Sequence, residues 1–200
     1  MKNIIINKLL NILVKYKNYS ETEIEELKYG LTSIYLLISK LIIIIPLAII
    51  LNLGKECLIF LFFYNIIRTF SFGLHASKSY ICLILSTIIF IGIPFLCTKI
   101  IISLNIKVVI SILCIILLFK NSPADTKKRP ILSKNRRLFF KYISVLIAII
   151  YSFVSIFTND YISNNLLFSL MLQVIITSPI TYRLFNMTYN NYLNYDALSI

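Results

Sequence analysis

Long apolar runs separated by short polar breaks dominate the chain from residue 31 onwards. Six can be drawn, at about 31–53, 57–70, 79–98, 100–119, 138–157 and 162–182. A bilayer core of about 30 Å is crossed by about 20 apolar helical residues, so runs of this length predict membrane helices. The second run is the shortest, and Arg68 stands near its end, which predicts a tilted or partly inserted helix there. Six crossings is the count the runs favour; four full crossings, with the weaker segments half inserted, is the alternative.

Ahead of these runs, Ile5, Leu9, Ile12, Leu13 and Tyr16 recur at helical spacing, with Lys2, Lys8, Lys15 and Lys17 between them. Such a segment suits a helix lying on an anionic membrane surface. Lys8, Asn11 and Lys15 interrupt its apolar residues and no small-residue cleavage site follows, so it reads as retained, not as a signal peptide. "SETE", Ser20 to Glu23, matches a capping box and predicts a second short helix with Gly30 as its stop. Pro46, Pro94 and Pro179 fall inside runs and predict kinks. The fold class expected is all-α: a polytopic membrane protein of about six transmembrane or membrane-embedded helices preceded by an amphipathic N-terminal helix. As a single membrane domain, 1–200 divides into interfacial helices (1–29), four spans (31–119), a polar loop (120–137), two spans (138–182) and a tail (183–200).

Composition strengthens this picture and adds an orientation. The 200 residues are 58% hydrophobic and only 14% charged, against about 25% charged in a soluble domain, so no separate soluble domain fits. A net charge of +12 would suit nucleic acid, but the basic residues sit between the apolar runs, and no nucleic-acid partner is expected. With the N-terminus inside and six crossings, the inner segments hold 16 of the 20 lysines and arginines, whereas the outer turns hold only Lys55 and Lys99. The positive-inside rule therefore places both termini in the cytoplasm. Lys40 and Lys107 fall inside runs, where a charge costs about 2.5–3.5 kcal/mol. Each either snorkels or faces neighbouring helices, or else meets an anionic substrate group.

The loop "KNSPADTKKRPILSKNRR", 120 to 137, carries seven basic residues against one acid, Asp125. It reads either as a topogenic loop on lipid phosphates or as a receiver of an acidic peptide. Cys57, Cys82, Cys97 and Cys114 form no close-spaced pair and there is one histidine, so neither a metal, a cofactor nor a disulfide framework is expected.

That histidine, His75, lies seven residues before Cys82. An imidazole that accepts a thiol proton makes the nucleophilic thiolate available near neutral pH. On one straight helix the two would stand about 10 Å apart, too far for proton transfer. A working pair demands a break, which Gly73 permits, followed by a helix starting just before Cys82 and capped by Ser77 or Ser79. A thiolate in that first turn would also gain from the helix dipole. Cys57 and Cys97 fall towards the outer face and Cys114 within a run, so only Cys82 shares a short connection with the histidine. The bland reading is a loop histidine beside an inert thiol.

"RTFSFGLHASKSYIC", Arg68 to Cys82, followed 40 residues later by "SPADTKKRPI", resembles the accessory gene regulator B family, membrane endopeptidases of Gram-positive quorum sensing. The resemblance extends over nearly the whole chain. It implies a cysteine peptidase acting on a short membrane-associated precursor with an acidic C-terminal tail. By it, Cys82 attacks the bond that releases the tail and His75 serves as general base and then acid. The thioester is then captured within the precursor to close a thiolactone or lactone ring. It also suggests a homodimer. Arg68 matches the family's basic position, as contact to an oxyanion or substrate carboxylate or as the anchor of a span end. Lys127, Lys128 and Arg129 match its basic run and become candidates for docking the tail. Where many members have paired glycines before "x-H-A", this chain has Phe72 and Gly73. A peptide transporter with Lys40 and Lys107 along its path, or a non-catalytic scaffold, are the competing readings.

Overall fold

The computed structural model describes residues 2–14, 19, 21–74, 79–127 and 130–193. Among them the chain forms α1 (Lys2–Val14), α2 (Glu21–Ile50), α3 (Gly54–Ser71), α4 (Ser79–Lys99), α5 (Leu104–Asn121), α6 (Lys134–Phe157), α7 (Asp160–Thr177) and α8 (Pro179–Leu184), with no strand. The all-α, polytopic membrane architecture is therefore as expected. Among the described residues, four segments are long and apolar enough to cross a membrane: Gly30–Ile50, Tyr80–Lys99, Leu104–Asn121 and Lys134–Phe157.

The remaining two long helices, α3 and α7, form the interior. Each has 18 residues, about 27 Å at the helical rise, comparable to the bilayer core. α7 packs against α3, α4, α5 and α6. Its Ser163, Asn164, Asn165, Ser169, Gln173 and Thr177 are all buried, because hydrocarbon cannot satisfy polar side chains and they turn towards other helices. Asn164 Nδ2 donates to the carbonyls of Cys97 (3.2 Å) and Ile100 (2.6 Å) at the end of α4. Tyr151 of α6 donates to the Phe63 carbonyl of α3 at 2.9 Å. Ile67, Cys114, Leu118, Ala148, Tyr151, Leu166 and Leu170 knit α3, α5, α6 and α7 into one core.

α1 lies against α2 and leaves Ile5, Leu9, Ile12 and Leu13 exposed as an apolar stripe, as an interfacial helix requires. Two expected boundaries are corrected. Gly30 does not stop a short helix: α2 runs unbroken for 30 residues through it. A lone glycine costs a helix about 1 kcal/mol but ends it only when the backbone turns left-handed, and the sequence on both sides continues as helix. Pro179 does not kink the sixth run: α7 ends at Thr177 and Pro179 opens α8, a position where its missing N–H costs nothing. Pro46 and Pro94 do lie inside α2 and α4. The expected cap at Ser20 falls outside the described residues.

Candidate active site

The site is built where α3 stops. Arg68 occupies the last turn of α3, and beyond Ser71 the backbone leaves the helix through two positive-φ residues, Phe72 (φ 56°, ψ −139°) and Gly73 (φ 115°). Arg68 turns its guanidinium back on this exit. It donates to the carbonyls of Phe72, Gly73 (3.1 Å) and Leu74 (2.9 Å). α7 holds the same segment from the other side: Gln173 Nε2 donates to the Phe72 carbonyl (2.7 Å) and the Leu74 amide donates to the Ile176 carbonyl (3.2 Å). Gly73 is required here, because a Cβ would stand 2.5 Å from Arg68 Nη1 and 2.8 Å from Ile176 Cγ2.

The third support is the second motif. Phe72 and Ala124 form a parallel bridge in which the Gly73 amide donates to the Ala124 carbonyl (2.8 Å) and the Ala124 amide to the Ser71 carbonyl (3.0 Å). The two sequence motifs therefore pair backbone to backbone. Asp125 is buried, and its carboxylate accepts from the Asn191 (2.8 Å) and Tyr192 (2.9 Å) amides. Tyr182 of α8 donates to the Asp125 (2.8 Å) and Ala124 (3.2 Å) carbonyls, and burial pushes its hydroxyl well above the usual tyrosine range, so it stays a neutral donor. Asp125 thus serves the loop itself, tying "SPAD" to the chain's final described turn.

Past the break, α4 begins at Ser79 and Cys82 lies in its first turn, half-buried. Residues 72–74 are not helical, so no unbroken helix joins α3 to α4; the stretch between His75 and Ser79, where a working pair needs the chain to fold back, lies outside the described residues. His75 itself, Ser77, Lys128 and Arg129 lie outside the described residues; Lys127 is described and exposed. Cys57, Cys97 and Cys114 are buried, Cys57 and Cys114 within apolar clusters. Cys82 differs in its surroundings: its Sγ accepts a hydrogen bond from Lys40 Nζ at 2.9 Å, and Tyr64 of α3 is close enough to interact electrostatically with both Cys82 and Arg68.

Of the charges inside runs, Lys107 is buried against Asp160 at the start of α7, Nζ to Oδ1 3.0 Å, which is the neighbouring-helix reading. Lys40 takes the thiol. Sequence reasoning did not find Gln173, Tyr182 or Asn191, which hold the two motifs; a polar residue in an apolar run was the one signal, and it applied to Gln173 alone.

Fold and site together define a polytopic all-α membrane protein that presents one half-buried thiol at a helix start beside a clamped loop. The family model of accessory gene regulator B matches residues 6–177, and the chain belongs to that family. This ties it to accessory gene regulator quorum-sensing signalling. An AgrB-like protein of Clostridium acetobutylicum is 28% identical, covering 98% of this chain and 96% of its own. Accessory gene regulator protein B of Staphylococcus aureus (strain MRSA252) is 29% identical, covering 88% and 94%. An AgrB-like protein of Clostridium perfringens (strain SM101) is 30% identical, covering 80% and 79%. No solved structure matches the chain significantly.

Proposed function

We propose that the protein is a membrane cysteine endopeptidase that cuts the acidic C-terminal tail from a short autoinducing-peptide precursor and promotes cyclisation of the remainder. The observation that carries this reading is the position of Cys82: a half-buried thiol in the first turn of α4, the helix that follows a break at 72–74 clamped by three separate elements. A helix start favours negative charge on sulfur, and fixing 71–74 restricts where the next residue, His75, begins.

In this reaction His75 takes the Cys82 proton, and the sulfur attacks the scissile carbonyl, forming the C–S bond. The C–N bond then breaks as His75 returns the proton to the leaving amine. A cysteine or serine of the precursor gives its proton to the now neutral His75 and attacks the thioester; the new C–S or C–O bond closes a thiolactone or lactone as the bond to Cys82 breaks and frees its thiolate. A site at the membrane boundary keeps competing water low. No metal or cofactor is called for. Arg68, bonded to three loop carbonyls, is here a positioning residue, in keeping with its place at the end of a span. Lys127, Lys128 and Arg129 dock the acidic tail by charge. Both termini and the site face the cytoplasm, and the enzyme works as a homodimer in the cell membrane.

The test is co-expression with a candidate precursor, a short amphipathic peptide with a central cysteine or serine and an acidic tail. Cys82→Ala and His75→Ala each abolish cleavage while the protein reaches the membrane at its normal level; full cleavage by either variant would sink the reading.

A further inference from the structure

Lys40 looks, by position along the chain, like a charge stranded in the middle of the first apolar run. The fold gives it a use. α2 packs against both α3 and α4, and this brings Lys40 Nζ to 2.9 Å from the Sγ of Cys82, 42 residues away, in the first turn of α4. Lys40 makes no ion pair with a carboxylate among the described residues, in contrast to Lys107, which has Asp160. A neutral thiol is a weak acceptor, whereas a thiolate is a strong one for an ammonium donor. An ammonium in an apolar helix is costly unless it meets an anion, and among the described residues the group it bonds is a sulfur that can become one.

We infer that Lys40 is a third catalytic residue: its ammonium is the fixed counter-charge of the Cys82 thiolate, both as attacking group and as leaving group. The inference rests on the proposed peptidase reading and extends it. As sulfur attacks, its electron pair moves into the new C–S bond and its charge passes to the carbonyl oxygen, while Lys40 keeps its proton. When the precursor's own nucleophile displaces the acyl group, the pair returns to sulfur, again beside the ammonium. A well-held thiolate leaves faster, so one lysine assists both cutting and ring closure. Among the described residues, Tyr64 of α3 is close enough to the sulfur to interact with it, and Arg68 stands a turn further along the same helix. Tyr64 is a phenol and supplies no positive charge, and Arg68 bonds the loop carbonyls.

The readout that isolates this role needs no precursor. The full-length protein, in native membranes at pH 7, is treated with iodoacetamide, and the alkylation rate at Cys82 is followed by peptide mass spectrometry. Lys40→Met and Lys40→Gln slow alkylation by about tenfold or more, the worth of one charge-assisted hydrogen bond, and Lys40→Arg restores most of it. If Lys40→Met does not reach the membrane, the polar, uncharged Lys40→Gln decides. Either neutral variant, present at the normal level and alkylated as fast as the parent, overturns the inference and leaves the peptidase reading standing. Precursor cleavage by Cys82→Ala removes that reading whatever the alkylation rates.

Discussion

At the scale of single residues, the exit from α3 is tightly constrained. Phe72 holds a backbone conformation that costs an L-residue about 1–3 kcal/mol, and it persists because Arg68 and Gln173 grip its carbonyl and Phe140 packs edge-on to its ring at 5.0 Å. A positive φ is backbone that glycine adopts without steric cost, so Phe72 holds a conformation better suited to glycine. Gly73 is stricter still, having both a positive φ and no room for a Cβ. Gly73→Ala must therefore push the loop away from Arg68 and α7. Misplacing a reacting group by about 1 Å costs about a hundredfold, so precursor cleavage by Gly73→Ala falls by about that factor. Phe72→Gly trades the ring contact for relief of strain and keeps most of its cleavage. Parent-level turnover by Gly73→Ala in the same assay would mean that the clamp does not matter.

At the scale of elements, α2 departs furthest from what its sequence suggests. It is one helix of about 45 Å, whose first part meets α1 and whose later part carries Lys40 to α4. Gly30 lies within it in open space, with no atom within 4 Å of where a Cβ would be. Gly30→Ala should then stabilise the protein by about 0.5–1 kcal/mol through helix propensity, read as a rise in the thermal unfolding midpoint in detergent, with cleavage unchanged. A lowered midpoint would mean that the backbone breaks at Gly30 after all. α7 teaches the opposite lesson: its polar residues, which weaken it as an apolar run, are what fit it for the interior.

At the scale of the whole molecule, α3 and α7 form the centre and the more apolar helices surround them, while α8 and residues up to 193 close over the "SPAD" loop. The proposed orientation has a direct readout. Lys99 and Lys127 are both exposed, the first at the end of α4 and the second in the basic loop. In a Cys82→Ser background, Lys99→Cys should react with an impermeant maleimide on intact cells, and Lys127→Cys only after the cells are opened. The reverse pattern would turn the protein over and remove the cytoplasmic site.

Hydrophobic patterning by itself determined that this is an all-α membrane protein and roughly where its helices lie, and helical rise determined that any Cys82–His75 chemistry needs the chain to fold back between Gly73 and Ser79. Those are properties of period, length and local backbone freedom, which neighbouring residues carry. Tertiary structure alone decided that Ala124 pairs with Phe72, that Gln173 and Tyr182 brace the two motifs, and that Lys40 meets Cys82 while Lys107 meets Asp160. The partners in these pairs stand 42 to 101 residues apart along the chain. Which helix faces which is set by packing of the whole bundle, and a polar residue in an apolar run reveals only that it needs a partner, not which one it will find.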